Sequence, residues 1–125
     1  MKIIKTDKAP KALGPYSQAV KVDKFLFTAG QLGMKPNDSS LISQDVKEQA
    51  KQALSNLVAV LQEGGFMIGD VVKVTVFLAD MSDFEKVNVI YQDFFKEHKP
   101  ARSAVAVKTL PKNALVEIEA VAYKN

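Results

Sequence analysis

The sequence predicts an α+β domain in which one mixed sheet of five to six strands carries two helices packed on a single face. Two segments repeat apolar residues at the three- and four-residue steps of an amphipathic helix. The other apolar runs are short, rich in β-branched and aromatic residues and separated by turn-forming residues. Taken in order they read strand, strand, helix, strand, helix, strand, strand, and two layers are enough to bury one face of each.

A short run at Lys2 to Lys5 supplies the optional sixth strand. Ser17 to Val22 and Phe25 to Ala29 then flank the polar pair Asp23-Lys24 and form a hairpin. After an exposed loop at Pro36 to Ser40, the apolar positions Val46, Ala50, Ala53, Leu54, Leu57, Val58 and Leu61 mark a helix of about five turns. Lys47, Glu48, Lys51, Gln52 and Asn56 lie between them on the polar side. Ser43 is the expected N-cap, Asp45 falls in the first turn, and Gly64-Gly65 provides the left-handed stop. Val71 to Ala79 reads as a long strand without a breaker. Ser82 with Glu85 three residues on makes a capping-box pattern for a second helix, whose apolar stripe is Phe84, Val87, Tyr91, Phe94 and Phe95. Pro100 closes that region, and strands at Ser103 to Val107 and Leu115 to Ala122 follow, separated by Leu110 to Asn113.

The two long strands say what lies on the sheet's second face. Val116, Ile118, Ala120 and Ala122 alternate with Glu117, Glu119, Val121 and Tyr123, and Val72, Val74, Val76 and Leu78 alternate with Lys73, Thr75 and Phe77. If the apolar sets face the helices, the other face mixes aromatic and aliphatic groups with charges. Such a face is too apolar for water and too charged for a second core, so self-association through it is expected.

Composition narrows the rest. With 125 residues, 47% apolar and 25% charged, the chain is a single domain over residues 1–125, long enough to build a core without staples. It has no cysteine, which removes disulfides, thiolate nucleophiles and sulfur-rich zinc sites. The opening ten residues lack the apolar core of a secretory signal, and nothing approaches the ~18 consecutive apolar residues of a membrane span, so the expected location is cytoplasmic with no membrane partner. The net charge of +3 is spread as dispersed lysines rather than gathered in a stripe, which argues against nucleic acid as a partner.

Few residues are equipped for chemistry. The single histidine, His98, sits at the polar end of the second helix and reads as a surface or capping residue. There is no second histidine and no recognisable metal-ligand spacing, so no metal is expected. Arg102 is the lone arginine among sixteen lysines, and a guanidinium presents a planar fork to carboxylate or phosphate that an ammonium cannot copy. It is either half of a structural ion pair or an anion-binding fork. Glu117 falls in the next strand, and hairpin pairing would bring it beside Arg102 on one sheet face; an arginine holding an anion beside a carboxylate that handles water is a workable hydrolytic pair. Tyr16 offers a phenol hydroxyl or simple packing. Asn88, in mid-helix, is either a buried hydrogen-bonder or exposed.

Taken together, Gly14-Pro15-Tyr16-Ser17-Gln18-Ala19, Phe27-Thr-Ala-Gly-Gln31, Ala53 to Asn56, Val72 to Leu78, Asp83-Phe84 with Val87-Asn88, Pro100-Ala-Arg-Ser103 and Leu110-Pro111 with Val116 to Ala120 resemble the RidA (YjgF) family across essentially the whole chain. The resemblance implies a chorismate-mutase-like fold, a homotrimer with its sheets facing inward, active sites in the clefts between subunits, and no metal or organic cofactor. The implied activity is hydrolysis of 2-imino acids, chiefly 2-iminopropanoate and 2-iminobutanoate released by pyridoxal-phosphate dehydratases, to 2-oxo acids and ammonia, which pre-empts damage by reactive enamines.

By position, Arg102 resembles the residue that pairs with the substrate carboxylate and Glu117 the one that orients the attacking water. Tyr16 resembles a cleft residue from the neighbouring subunit. The backbone around Ala29 and Gly30 lines the implied pocket, and Asn88 matches a polar residue near it. Ala29 stands where serine is common in the family, and Ala104 where cysteine or threonine is common, so each site loses a side-chain donor while keeping its backbone N–H. The segment between Phe95 and Arg102 is shorter than in some relatives. Two other functions are implied alternatives: a non-catalytic module that senses an oxo acid or amino acid in the same anion cleft, and a ribonuclease or translation inhibitor. The dispersed lysines and the lack of an aromatic stacking platform argue against the last.

Overall fold

A computed structural model describes residues 1–125. Seven strands form one sheet: β1 (Lys2–Ile4), β2 (Ala19–Val22), β3 (Phe25–Thr28), β4 (Gln31–Leu32), β5 (Val71–Leu78), β6 (Ala101–Ala106) and β7 (Val116–Tyr123). The order across the sheet is β1-β2-β3-β7-β5-β6, with β4 also pairing β7 beyond the end of β3. Helices α1 (Val46–Glu63) and α2 (Phe84–Phe95) cover one face. The single parallel pair, β5 with β6, is joined through α2, because parallel neighbours need a crossover.

The two-layer α+β architecture is as the sequence predicts, with a seventh strand, β4, that two residues were too short to announce. The Asp23-Lys24 turn between β2 and β3 is present, with Asp23 at φ 53°, a left-handed conformation that a short polar side chain tolerates. Both helix starts differ from expectation. Asp45, not Ser43, caps α1: its carboxylate accepts from the Glu48 N–H at 3.0 Å, while Ser43 Oγ accepts from Asp45 N–H at 3.0 Å. At α2 the Ser82–Glu85 box does not form. A 3-10 turn at Met81–Asp83 intervenes, and Asp80 takes the Ser82 N–H at 2.8 Å, so the α-helix begins after the residues that would have closed the box. The stop of α1 is as expected, with Gly65 at φ +87°.

Ala50, Ala53, Leu54, Leu57 and Leu61 of α1 and Val87, Tyr91 and Phe95 of α2 form the core with Val74, Val76 and Leu78 of β5 and Val116, Ile118 and Ala122 of β7. The alternation in β7 is the one the sequence predicts. In β5 it is shifted at its start: a bulge between Val71 and Lys73 buries Val71 and turns Val72 outward, against the expectation that Val72 joins the helix-facing set. No helix is long and apolar enough to cross a membrane.

Three buried amides tie the irregular segments to this frame. Gln18 Oε1 accepts from Thr6 N–H at 2.7 Å, and its Nε2 donates to the Pro10 carbonyl at 2.7 Å. Gln49 donates to the Ser43 carbonyl and accepts from Leu115 N–H. Asn56, assigned to the polar side by its place in the sequence, is fully buried and donates to the carbonyls of Leu32 (3.1 Å) and Met34 (2.9 Å). It therefore fixes the exit of β4. Asn56→Ala leaves both carbonyls without a partner away from water, and the expected loss is about 2–5 kcal/mol, read as a lower urea midpoint at unchanged slope.

A candidate active site split between two faces

The uncovered face of the sheet carries the acidic half. Glu117 on β7 alternates with the buried Val116 and Ile118, so it points away from the helices, in register with Phe77 on β5 and Leu32 on β4. The ladder between β3 and β7 runs from Phe25–Tyr123 to Phe27–Val121; β4 then resumes at Gln31–Ile118, one residue out of step. The slip makes Thr28 to Gly30 bulge beside Glu117. Thr28 Oγ1 accepts the Ala120 N–H at 3.0 Å, and Ala29 donates to the Gln18 carbonyl at 2.8 Å. A bulge of this kind re-aims backbone at a sheet rim. Gly30 leaves room for the carboxylate: a Cβ on it would stand 2.7 Å from Glu117 Cδ, so a larger residue here would push the Glu117 side chain aside. Tyr16, Ala29, Gly30, Gln31, Pro111 and Glu117 line a cavity of about 430 Å³, with Tyr16 56% exposed.

The Glu117 carboxylate is half-buried, and no hydrogen bond to it offsets the loss of water. Burial first, and then the negative charge of Glu119, raise its pKa above the ordinary 4.5. Because the folded-state value is the higher one, the native state binds more protons between the ordinary value and the raised one, and stability falls as pH rises through that window. Glu117→Gln is therefore expected to be more stable than the parent at pH 7, with the difference vanishing below about pH 4.5. Paired thermal melts across this range check it.

The cationic half lies on the other face. Arg102 is in register with Val74 and alternates toward α2, where its Nη1 donates to Asn88 Oδ1 at 2.6 Å. Its guanidinium carbon sits 4.7 Å from the ring centre of Tyr91 and 5.4 Å from that of Phe84. It lines a cavity of about 390 Å³ with Asn88, Gln92, Lys96, His98 and Lys99. His98 is not a surface group: half-buried, its Nε2 donates to the Val71 carbonyl at 2.7 Å and ties the segment after α2 to β5.

Arg102 and Glu117 are thus not neighbours on one face, contrary to the hairpin expectation. The connection from Val107 to Leu115 is too long for a tight turn; Leu110 and Ala114 within it are buried in a satellite cluster, and it carries the chain across β5 so that β7 inserts between β3 and β5. Tyr16, Ala29, Gly30 and Glu117 are brought together. Asn88 and Arg102 are brought together elsewhere, with Ala104 two residues along β6 on the Arg102 face, its methyl against the main core. Arg102 is no structural ion pair, since its partners are an amide and two rings. The apolar stripe of α2 places Phe84 and Tyr91 in the core alone; the signal that marks them otherwise is the i, i+4, i+7 spacing of Phe84, Asn88 and Tyr91, one line along a helix. No cluster of three or more His, Cys, Asp or Glu side chains could hold a metal.

The uncovered face also gathers Phe25, Phe27 and Tyr123, with ring centres 6.0 Å apart for the first pair and 5.0 Å for Phe25 and Tyr123. Phe27 is 46% exposed. The sequence suggests no aromatic platform because Tyr123 joins Phe25 and Phe27 only when β7 pairs with β3. Glu117, Glu119 and Lys73 share their face.

Fold and site define an α+β domain with an acidic half-site on the bare side of its sheet and a cationic half-site under its second helix. The family model described as Endoribonuclease L-PSP matches residues 6–124. The human 2-iminobutanoate/2-iminopropanoate deaminase is 51% identical over 123 residues, covering 98% of this chain and 90% of that protein. A RutC family protein of Pyrococcus abyssi is 52% identical over 122 residues, covering 98% and 96%. Among solved structures, E. coli TdcF with bound serine superposes with a TM-score of 0.95 at 41% identity, and the E. coli YjgF gene product with 0.95 at 43%, each covering all of both chains. The chain belongs to the RidA/YjgF family.

Proposed function

We propose that this chain is a 2-iminobutanoate/2-iminopropanoate deaminase, hydrolysing 2-imino acids to 2-oxo acids and ammonia. The observation that carries it is an arginine fork and a half-buried carboxylate, neither neutralised by an ion partner within the chain, in a protein 51% identical to the human deaminase. The serine bound to TdcF supports an amino-acid-shaped ligand, with a carboxylate for Arg102 and a nitrogen on the adjacent carbon.

Arg102 holds the substrate carboxylate through a two-pronged charge-assisted contact. Glu117 orients a water toward the iminium carbon and accepts a proton as the new C–O bond forms. Glu117 then returns that proton to the amino nitrogen of the carbinolamine, the C–N bond breaks, and ammonia leaves as the carbonyl forms, the hydroxyl proton passing back to the Glu117 carboxylate. The iminium is already electrophilic, so positioning and charge complementarity supply the acceleration.

The two half-sites open on opposite faces of the sheet, in separate cavities, so one chain does not present both to one small molecule. A homotrimer that buries its bare sheet faces, with Arg102 of one subunit set against Glu117, Tyr16 and the Ala29–Gly30 backbone of the next, brings them together. Coupling a threonine dehydratase to the protein, with semicarbazide trapping free imine, tests the reaction: faster release of 2-oxobutanoate and less trapped adduct are expected. Unchanged adduct from a protein that light scattering shows to be trimeric would leave ligand sensing as the function of the cleft.

A further inference from the structure

We propose that Phe84, Asn88 and Tyr91 form an uncharged cradle that fixes the Arg102 guanidinium for carboxylate binding while leaving its positive charge unspent. This rests on the role given to Arg102 above. An arginine that must meet an incoming anion faces two conflicting demands: its long side chain has to be held in one geometry, yet the obvious holder, an aspartate or glutamate, would occupy the fork and cancel the charge.

The side chains around Arg102 meet both demands. Asn88 takes one N–H, and since guanidinium has donors but no acceptor, the amide oxygen must face it. That bond uses a single nitrogen, and the remaining donors stay available. The faces of Tyr91 and Phe84, at 4.7 and 5.4 Å, attract the cation through their quadrupoles without neutralising it. Tyr91 is itself locked: it is 8% exposed and stacks on Phe95 with ring centres 4.3 Å apart. Its hydroxyl has no hydrogen-bond partner, so it is the ring and not the oxygen that serves Arg102. No carboxylate lines the adjoining cavity, whose other polar groups are Gln92, Lys96, His98 and Lys99. Phe84, Asn88 and Tyr91 are accordingly positioning residues rather than catalytic ones.

Calorimetric titration with 2-oxobutanoate separates binding from turnover. Tyr91→Leu, which keeps apolar volume but removes the ring face, is expected to weaken binding roughly 5- to 30-fold with a smaller change in kcat, the size of one partly desolvated cation–π contact. Tyr91→Phe, which keeps the ring and drops the unpartnered hydroxyl, is expected to restore parent affinity. Asn88→Asp is nearly isosteric and places a carboxylate in the fork, so binding is expected to weaken at least tenfold. If Tyr91→Leu fails to fold, Phe84→Leu makes the same test on the second ring. Parent affinity in the leucine variants, or Tyr91→Phe impaired as much as Tyr91→Leu, would overturn the cradle. Parent affinity in Arg102→Ala would instead remove the role of Arg102 on which it rests.

Discussion

Arg102→Ala is expected to lower kcat/KM for imine hydrolysis about 30- to 5,000-fold, the kinetic equivalent of losing a buried charge-assisted contact and leaving its anionic partner unpaired. The fold should survive, because Arg102 is at an edge strand and bonds to the rest of the chain through one amide and two ring faces. Arg102→Lys separates charge from shape. An ammonium keeps the sign of the field but offers no planar fork, so it should recover a minor share of the loss. A lysine variant with full activity would mean that Arg102 contributes a field and nothing more. Each variant is read in the dehydratase-coupled assay alongside light scattering, so that a lost assembly is not mistaken for a lost contact.

Glu117→Gln is expected to cost 10²- to 10⁴-fold in turnover, roughly the range for removing a positioned proton acceptor. The same variant is expected to be the more stable protein at neutral pH, since it no longer holds a half-buried charge short of water. Opposite signs for activity and stability distinguish a functional carboxylate from a structural one. Because the half-sites lie on opposite faces, the two inactive variants also test each other. Arg102→Ala and Glu117→Gln chains, unfolded together and reassembled, should regain activity that neither has alone, in about a quarter of the sites if subunits mix at random. No recovery in mixed trimers would require both groups to act from one chain, which the sheet does not permit without rearrangement.

Much of the fold was legible because periodicity reports burial directly. The 3.6-residue repeat of α1, the alternation of β7 and the Gly64-Gly65 stop each have one local cause, and each is found where expected. What was not legible depends on partners far along the chain. Asn56 looks like a solvated helix residue until the β4 carbonyls it serves are in place, and Phe25, Phe27 and Tyr123 do not form a cluster until β3 pairs with β7. The site divided in the same way. Arg102 could be singled out by type, as a solitary guanidinium, and Glu117 as one of only two carboxylates in its strand. Their separation could not, because it follows from the connection after β6 carrying the chain across β5 and from the register in which β7 then pairs, neither of which is written in any local pattern. The helix caps failed for a smaller reason: several side chains near each start can accept an amide, and a shift of one or two residues decides among them.

The bare sheet face, with three aromatic rings and two carboxylates, has a consequence for how the protein behaves in a cell. If three chains must meet to cover it and to complete each cleft, mass action governs both folding and turnover. Diluted chains would lose stability and catalysis in the same concentration range, with total activity falling as the cube of the free-chain concentration and activity per chain as its square. Abundance would then act as a threshold: scarce chains are silent and prone to clearance, and the capacity to remove imino acids switches on only once synthesis has carried the chain past its assembly point.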